Sequence, residues 1–339
     1  MSRSSSRPPL RRLRTALAAV VGAVAIASGV GAEPAADDTP AAPPAPPTDP
    51  MQSLGSISVG HPHHGFLVNG VRMPRGEHWI LGAPNLAWGT DETIAALVHC
   101  AQRYHELFPD GPKLRIGAIS AERGGPLPPH KSHRTGRDAD VHFVLTQRTP
   151  KKWYEPATAE NLDRERTWGL LRLVITETDV EMVLIDRAVQ ALLEEHALKI
   201  GEDAAWIADL FHGSPGSSSL IKHVPGHTGH MHIRFVSPIA RRRGVQAYDR
   251  LVEQGHIVPP SRHVEHVVVA GDTLSEVAVR YGTTVEALQK TNQLGSTVIK
   301  LGQKLTITER VDIKGARDPV VVPKRRLPPP ATAVAQASR

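Results

Sequence analysis

Residues 226–235 read GHTGHMHIRF, with three histidines in the first seven positions. The second half alternates. His230, His232 and Arg234 fall on one side of an extended chain, and Met231, Ile233 and Phe235 fall on the other. That period-two pattern is a β-strand with one face in a core. Its polar face is either a histidine-rich solvated edge or part of a metal site, depending on whether the rest of the chain supplies further ligands. Residues 138–143, DADVHF, form a second strand of the same kind, with Asp138, Asp140 and His142 opposite Ala139, Val141 and Phe143. If the two strands are neighbours in one sheet, their metal-capable faces converge.

The stretch HKSHRTGRDAD (130–140) supplies the missing partners as H-x-x-H-x6-D: His130, His133 and Asp140. With His232, two neutral imidazoles and a carboxylate fill three corners around a borderline ion and leave a fourth open for water. That is the pattern of a catalytic zinc rather than a structural one. Gly136 would let the chain turn between His133 and Asp140. His230 shares a strand face with His232 and could act as a base beside the metal, with His227 as a further donor. The spacing equally fits three histidines using His230 as a ligand, or a metal site that only binds. Asp140 could instead pair with Arg134 or Arg137. GHPHHGF (60–66) is a rival cluster with no acid close by, and it reads as a minor site.

The formal charge of +6 on 339 residues comes largely from five arginines within residues 1–32. The remainder is close to neutral, which argues against a nucleic-acid-binding surface. Those arginines precede ALAAVVGAVAIASGVGA, the pattern of a signal peptide (1–32) cut after Ala32 and leaving no stable membrane span. Residues 33–50 are a Pro/Ala linker. A main domain is expected over 51–255, with a helix capped by Thr90 that buries Ile94, Leu97, Val98 and Ala101, and a helical segment within 181–197. Cys100 is the sole cysteine and lies on an apolar helical stripe, so no intramolecular disulfide forms. A linker at 256–263 leads to 264–308, a compact β-α-α-β unit. There Thr273 and Glu276 form a capping box, and Thr283 with Glu286 repeats the device. The Pro-rich basic tail, 309–339, reads as disordered. The expected class is α+β: a larger domain with a small antiparallel sheet and flanking helices, then the small β-α-α-β domain.

The segments ISAERGGPLPPHKSHRTGRDADV (119–141) and PGHTGHMHIRF (225–235) resemble the two signature regions of the penicillin-insensitive murein endopeptidases, and MQSLGSISVG (51–60) resembles the start of their catalytic domain. The resemblance implies zinc bound by His133, Asp140 and His232, His230 as the catalytic base and His227 as another active-site histidine. It implies His130 at a position that can help hold a further metal. TETDVEMV (176–183) offers no clear match for the rest of that second site, and the family's additional cysteines are missing. Residues 264–308 resemble a LysM module, which implies binding of N-acetylglucosamine-containing glycan through Gly271, Asp272, Thr273 and Leu274.

Export, a zinc peptidase pattern and a glycan-binding pattern converge on peptidoglycan as the partner. The expected protein is a periplasmic or otherwise exported zinc metalloendopeptidase. It would cut peptide cross-bridges, by resemblance the D-alanyl–meso-diaminopimelyl bond, with metal-activated water. The rivals are a D,D-carboxypeptidase or dipeptidase of the same zinc group, and a non-catalytic LysM cell-wall-binding protein.

Overall fold

The computed structural model describes residues 52–147 and 153–330. The expected signal peptide, the Pro/Ala linker and residues 331–339 lie outside the described residues. In chain order the elements are β1 (Ile57–Val59), β2 (Phe66–Val68), β3 (Val71–Arg72), β4 (Trp79–Leu81), β5 (Trp88–Gly89), α1 (Asp91–Leu107), β6 (Leu114–Ile116), β7 (Asp138–His142), α2 (Arg164–Glu177), β8 (Val180–Ile185), α3 (Arg187–Lys199), α4 (Ala204–His212), β9 (Ile221–His223), β10 (His230–Phe235), α5 (Pro238–Glu253), β11 (Ser261–Val267), α6 (Leu274–Arg280), α7 (Val285–Asn292) and β12 (Lys304–Arg310). The fold is α+β, as expected.

The two alternating strands are direct antiparallel neighbours, with His232 opposite Asp140 and His230 opposite His142. They sit at the centre of a six-stranded sheet ordered β4-β6-β7-β10-β8-β9. This sheet is larger than the sequence suggests, and its outer pairs β4–β6 and β8–β9 are parallel. Met231, Ile233, Ala139 and Val141 join one buried cluster with Ile94 and Leu97 of α1, Trp168 and Leu171 of α2, and Val189 and Leu193 of α3. Burying that face in helices sends the opposite face, with its histidines and aspartates, to the site. Thr90 caps α1, its Oγ1 accepting from Thr93 N at 3.1 Å. Cys100 is buried among these side chains, and its thiol is pushed up to about 12 by burial, which makes it inert.

The helical segment expected within 181–197 is present as α3 but takes only the later part of that range, and Met182, Leu184 and Ile185 are not helical. VEMVLI forms β8 between β10 and β9, and α3 begins only after Asp186, whose carboxylate accepts from Ala188 N at 3.1 Å. The apolar spacing suits a helix, but the dense run of Val, Met, Leu and Ile suits an interior strand better. The tail is also not disordered over 311–330. Ile313 and Ala316 are buried with Ile57, Val59 and Leu251. Arg317 pairs with Asp249 at 2.6 Å, Arg325 with Asp179 at 2.7 Å and Arg326 with Asp209 at 3.1 Å. The basic residues of this tail therefore have acidic partners on the larger domain, which composition alone does not reveal.

α5 crosses β1 so closely that a Cβ on Gly244 would lie 2.1 Å from Ser58 O. Alanine normally improves a helix by about 1 kcal/mol over glycine. Here the clash is with backbone that cannot swing away, so Gly244→Ala is expected to destabilise the fold by about 1–3 kcal/mol. A urea-denaturation midpoint checks this, and an unchanged or higher midpoint would contradict the close packing. In the smaller domain β11 pairs with β12 along its whole length. Thr273 forms the expected capping box with Glu276, while α7 is capped by Thr284, one residue later than expected. Among the described residues, no helix is long and apolar enough to cross a membrane.

Candidate active site

The loop between β6 and β7 carries His133 in a left-handed conformation, φ +66°. Three hydrogen bonds hold it there. His133 N donates to Asp138 Oδ2 (2.9 Å), its carbonyl accepts from Ser120 Oγ (2.7 Å), and its Nδ1 lies 2.8 Å from Ile119 O. A carbonyl beside Nδ1 requires the proton on that nitrogen, so in the neutral ring Nε2 carries the lone pair. Gly136 turns the chain at φ +69° against Leu67 and returns it to β7.

That lone pair faces Asp140 and His232. His133 Nε2, Asp140 Oδ1 and His232 Nδ1 stand 3.2 Å from one another on all three sides. Ligands at tetrahedral corners, with zinc bonds of about 2.0–2.1 Å, are separated by roughly 3.3 Å. Asp140 is 1% exposed, yet neither of its oxygens has a hydrogen-bond partner. A buried carboxylate left in that condition is costly unless a cation completes it. The residues present therefore fit a divalent metal. His130 Nδ1 lies 3.8 Å from Asp140 Oδ2. The ligand atoms of His130, His133 and Asp140 also all lie within 4.8 Å of one another. His130 is half-buried, on the rim of the His133–Asp140–His232 triangle.

A buried ionic layer supports the triangle from behind. Asp138 accepts from Arg234 Nε at 2.6 Å and lies 3.4 Å from His232 Nε2. Arg137 pairs with Glu181 at 2.9 Å, not with Asp140. Burial pushes Asp140 up, but His133 and His232 more than offset this and hold its carboxyl well below the usual range. Burial likewise works against His232, yet Asp138 and Asp140 raise it to about 9. Both shifts have one cause: the two carboxylates demand positive charge at this spot, which a proton or a metal ion can satisfy.

His230 Nε2 lies 3.5 Å from Asp140 Oδ1 on the open side of the triangle. Burial drags its pKa down to about 4, so the ring is neutral near pH 7 and able to accept a proton. His227 packs 5.1 Å from His230, ring centre to ring centre, and its buried Nδ1 has no hydrogen-bond partner. The GHPHHGF segment lies outside this group and instead braces it. His63 Nδ1 is 3.1 Å from Lys131 O, and Pro62 O accepts from Arg134 N at 3.3 Å.

Sequence reading missed the aromatic wall. Tyr154 packs against His230 at 5.0 Å and stacks on His142 at 4.6 Å, and Trp153 meets His142 at 5.0 Å. Both aromatics come from a segment with neither periodicity nor a motif, so only the fold brings them here.

In the smaller domain, two of the four candidate glycan residues turn inward. Leu274 is 1% exposed within that domain's core. Asp272 accepts from Val269 N (2.9 Å) and Arg280 (3.0 Å) and lies 2.8 Å from His266 Nε2. Gly271, at φ +92°, and Thr273 remain at the surface.

Comparison with known families gives two matches. The profile of the penicillin-insensitive murein endopeptidase family matches residues 58–255, more than half of the chain, and a LysM domain profile matches residues 266–308. No curated protein matches the chain.

Proposed function

Because the chain belongs to the penicillin-insensitive murein endopeptidase family and carries a LysM domain, it is a peptidoglycan hydrolase acting outside the cytoplasm, and we propose that it is an exported zinc metalloendopeptidase that cuts peptide cross-bridges at the D-alanyl–meso-diaminopimelyl bond. We take residues 1–32 as the export signal, 51–255 as the catalytic domain and 264–308 as the glycan-binding domain, joined by 256–263. The observation that carries the reading is the 3.2 Å triangle of His133, Asp140 and His232 around an unsatisfied buried carboxylate, with His230 beside it.

In this reading those three residues hold zinc, with His130 as an accessory ligand at the rim. When bound, such an ion supplies Lewis-acid polarisation of a carbonyl and acidifies water. His230 takes the proton of the attacking water and returns it to the departing amine. His227 donates from its ring to the oxygen that gains charge. Asp138 fixes the His232 ring from behind, as the outer partners of metal-bound histidines do. Asp138→Asn is therefore expected to weaken zinc affinity about 10- to 100-fold, measured by competition against a chromogenic chelator. Unchanged affinity would remove Asp138 from the scheme. No side chain forms an acyl intermediate, so a β-lactam finds no nucleophile to trap. In the LysM domain, sugar contact would run through Gly271 and Thr273, with Asp272 and Leu274 shaping the loop from inside. Tethering on an insoluble polymer raises the local substrate concentration.

The test is muropeptide profiling of purified sacculi treated with the protein, with and without a zinc chelator. Cross-linked dimers should fall, monomers should rise to match, and the chelator should abolish both changes until zinc is restored. Unchanged dimers with shortened monomer stems would replace this reading with a carboxypeptidase. Binding to sacculi with no change in any muropeptide would leave only a LysM anchor.

A further inference from the structure

The chain that leaves the LysM domain returns to the larger domain. Just past β12, Val311 N donates to Pro260 O at 2.8 Å, so the segments entering and leaving the LysM domain are tied together at its base. Both then run into one cluster. Ile257 on the entering side and Ile313 and Ala316 on the leaving side are buried with Ile57, Val59 and Leu251. The LysM domain is thus carried as an insertion with both ends rooted beside β1, and residues 313–316 belong to the larger domain's packing. The mechanism above uses none of them.

β1 and β2 pair as a hairpin, with Val59 opposite Phe66, and the loop that joins them is GHPHHG (60–65). This loop lies between the returning chain and the loop that carries His133. On one side, His61 N donates to Lys314 O at 2.8 Å, and a Cβ on Gly60 would lie 2.6 Å from Ile313 Cγ2. On the other side, Arg134 N donates to Pro62 O at 3.3 Å and His63 Nδ1 lies 3.1 Å from Lys131 O. A Cβ on Gly65 would lie 2.4 Å from Thr135 Cγ2. Lys131, Arg134 and Thr135 flank His133, which is held at φ +66°. A residue other than glycine persists in that region only where its surroundings over-determine it. The hydrogen bonds of His133 fix its ring, and the 60–65 loop fixes the backbone on either side of it.

We propose that residues 313–315 position the metal-binding loop. Ile313, seated in the hairpin's core, and the Lys314 carbonyl hold the 60–65 loop against residues 131–135, and this keeps His133 Nε2 in the ligand triangle. Ile313 is a positioning residue that acts through His61 and Pro62 on a ligand it does not touch. The inference rests on the zinc reading given above, not on which bond is cut, and it gives the chain beyond the LysM domain a part in the peptidase.

The experiment uses the full chain as wild type, Ile313→Ala, Ile313→Val and Arg326→Gln. The last loosens the same tail at its far end, where Arg326 pairs with Asp209. Amide hydrogen exchange is read on the metal-free proteins, and zinc affinity by competition against a chelator. In the wild type, the amides of His61 and Arg134 should be protected at least about a hundredfold over an open chain. Ile313→Ala should speed exchange over 131–135 about tenfold while residues 139–141 and 231–233 of the sheet stay as slow as before, a split that general destabilisation does not produce. Zinc affinity should fall about tenfold, the lower end of what outer supports of a metal site contribute. Ile313→Val should keep most of the wild-type affinity, and Arg326→Gln should move neither reading. Unchanged zinc affinity in Ile313→Ala would overturn the proposal, as would equal acceleration of both regions. Unprotected His61 and Arg134 amides in the wild type would overturn it without any variant having to fold. A wild type that binds no zinc would overturn the zinc reading itself, and the positioning role with it.

Discussion

Asp140→Ala is expected to yield a folded protein that retains no zinc after dialysis and cuts cross-linked dimers at least about 10³-fold more slowly, the scale on which losing a site's central charge removes transition-state stabilisation. Asp140 is the one side chain that faces every candidate ligand: His133 and His232 at 3.2 Å, His230 at 3.5 Å and His130 at 3.8 Å. Its removal leaves only neutral imidazoles, which hold a divalent ion far less firmly without an anion among them. The fold should survive, because the change deletes a buried charge with no hydrogen bonds of its own while β7 keeps its ladder to β10. Metal analysis and a thermal melt make the check. An alanine variant that keeps equimolar zinc, or more than about a tenth of wild-type rate, would remove Asp140 from the centre of the site.

The parts of this arrangement that could be read in advance share one property: each is a local rule repeated along the chain. Alternation in DADVHF and HMHIRF marks two half-buried strands, because side chains of a strand point to opposite faces. The sheet then places them side by side with His232 opposite Asp140. Thr90 and Thr273 announce helix starts for an equally local reason, a hydroxyl three residues ahead of an orphan amide.

What escaped is decided by distant partners. Residues 181–197 carry an apolar pattern compatible with a helix, and only the gap between β10 and β9 makes their first half a strand. Ile313 reads as a stray apolar residue in a basic tail until β1 and α5 supply the core it fills. Asp272 and Leu274 match a glycan-binding loop in sequence, but a motif does not say which of its side chains turn inward. Trp153 and Tyr154 acquire meaning only beside His142 and His230.

His230→Ala is expected to behave oppositely to Asp140→Ala where it matters. Zinc should stay bound at one equivalent, KM should move little, and kcat should fall about 10²- to 10⁴-fold, the usual contribution of a positioned general base. The geometry supports this division. His232 and His133 point their ring nitrogens into the 3.2 Å triangle, whereas His230 stands 3.5 Å from Asp140 alone, on the open side next to Tyr154. Metal analysis beside steady-state kinetics on the dimer separates the roles, and added imidazole should restore part of kcat if only a proton acceptor has been lost. Loss of zinc from His230→Ala would instead make His230 a ligand, the three-histidine arrangement that the spacing of H-x-H also permits. Proton acceptance would then fall to His227, whose ring lies 5.1 Å away with an unpartnered Nδ1. His227→Ala would in that case carry the larger loss in kcat.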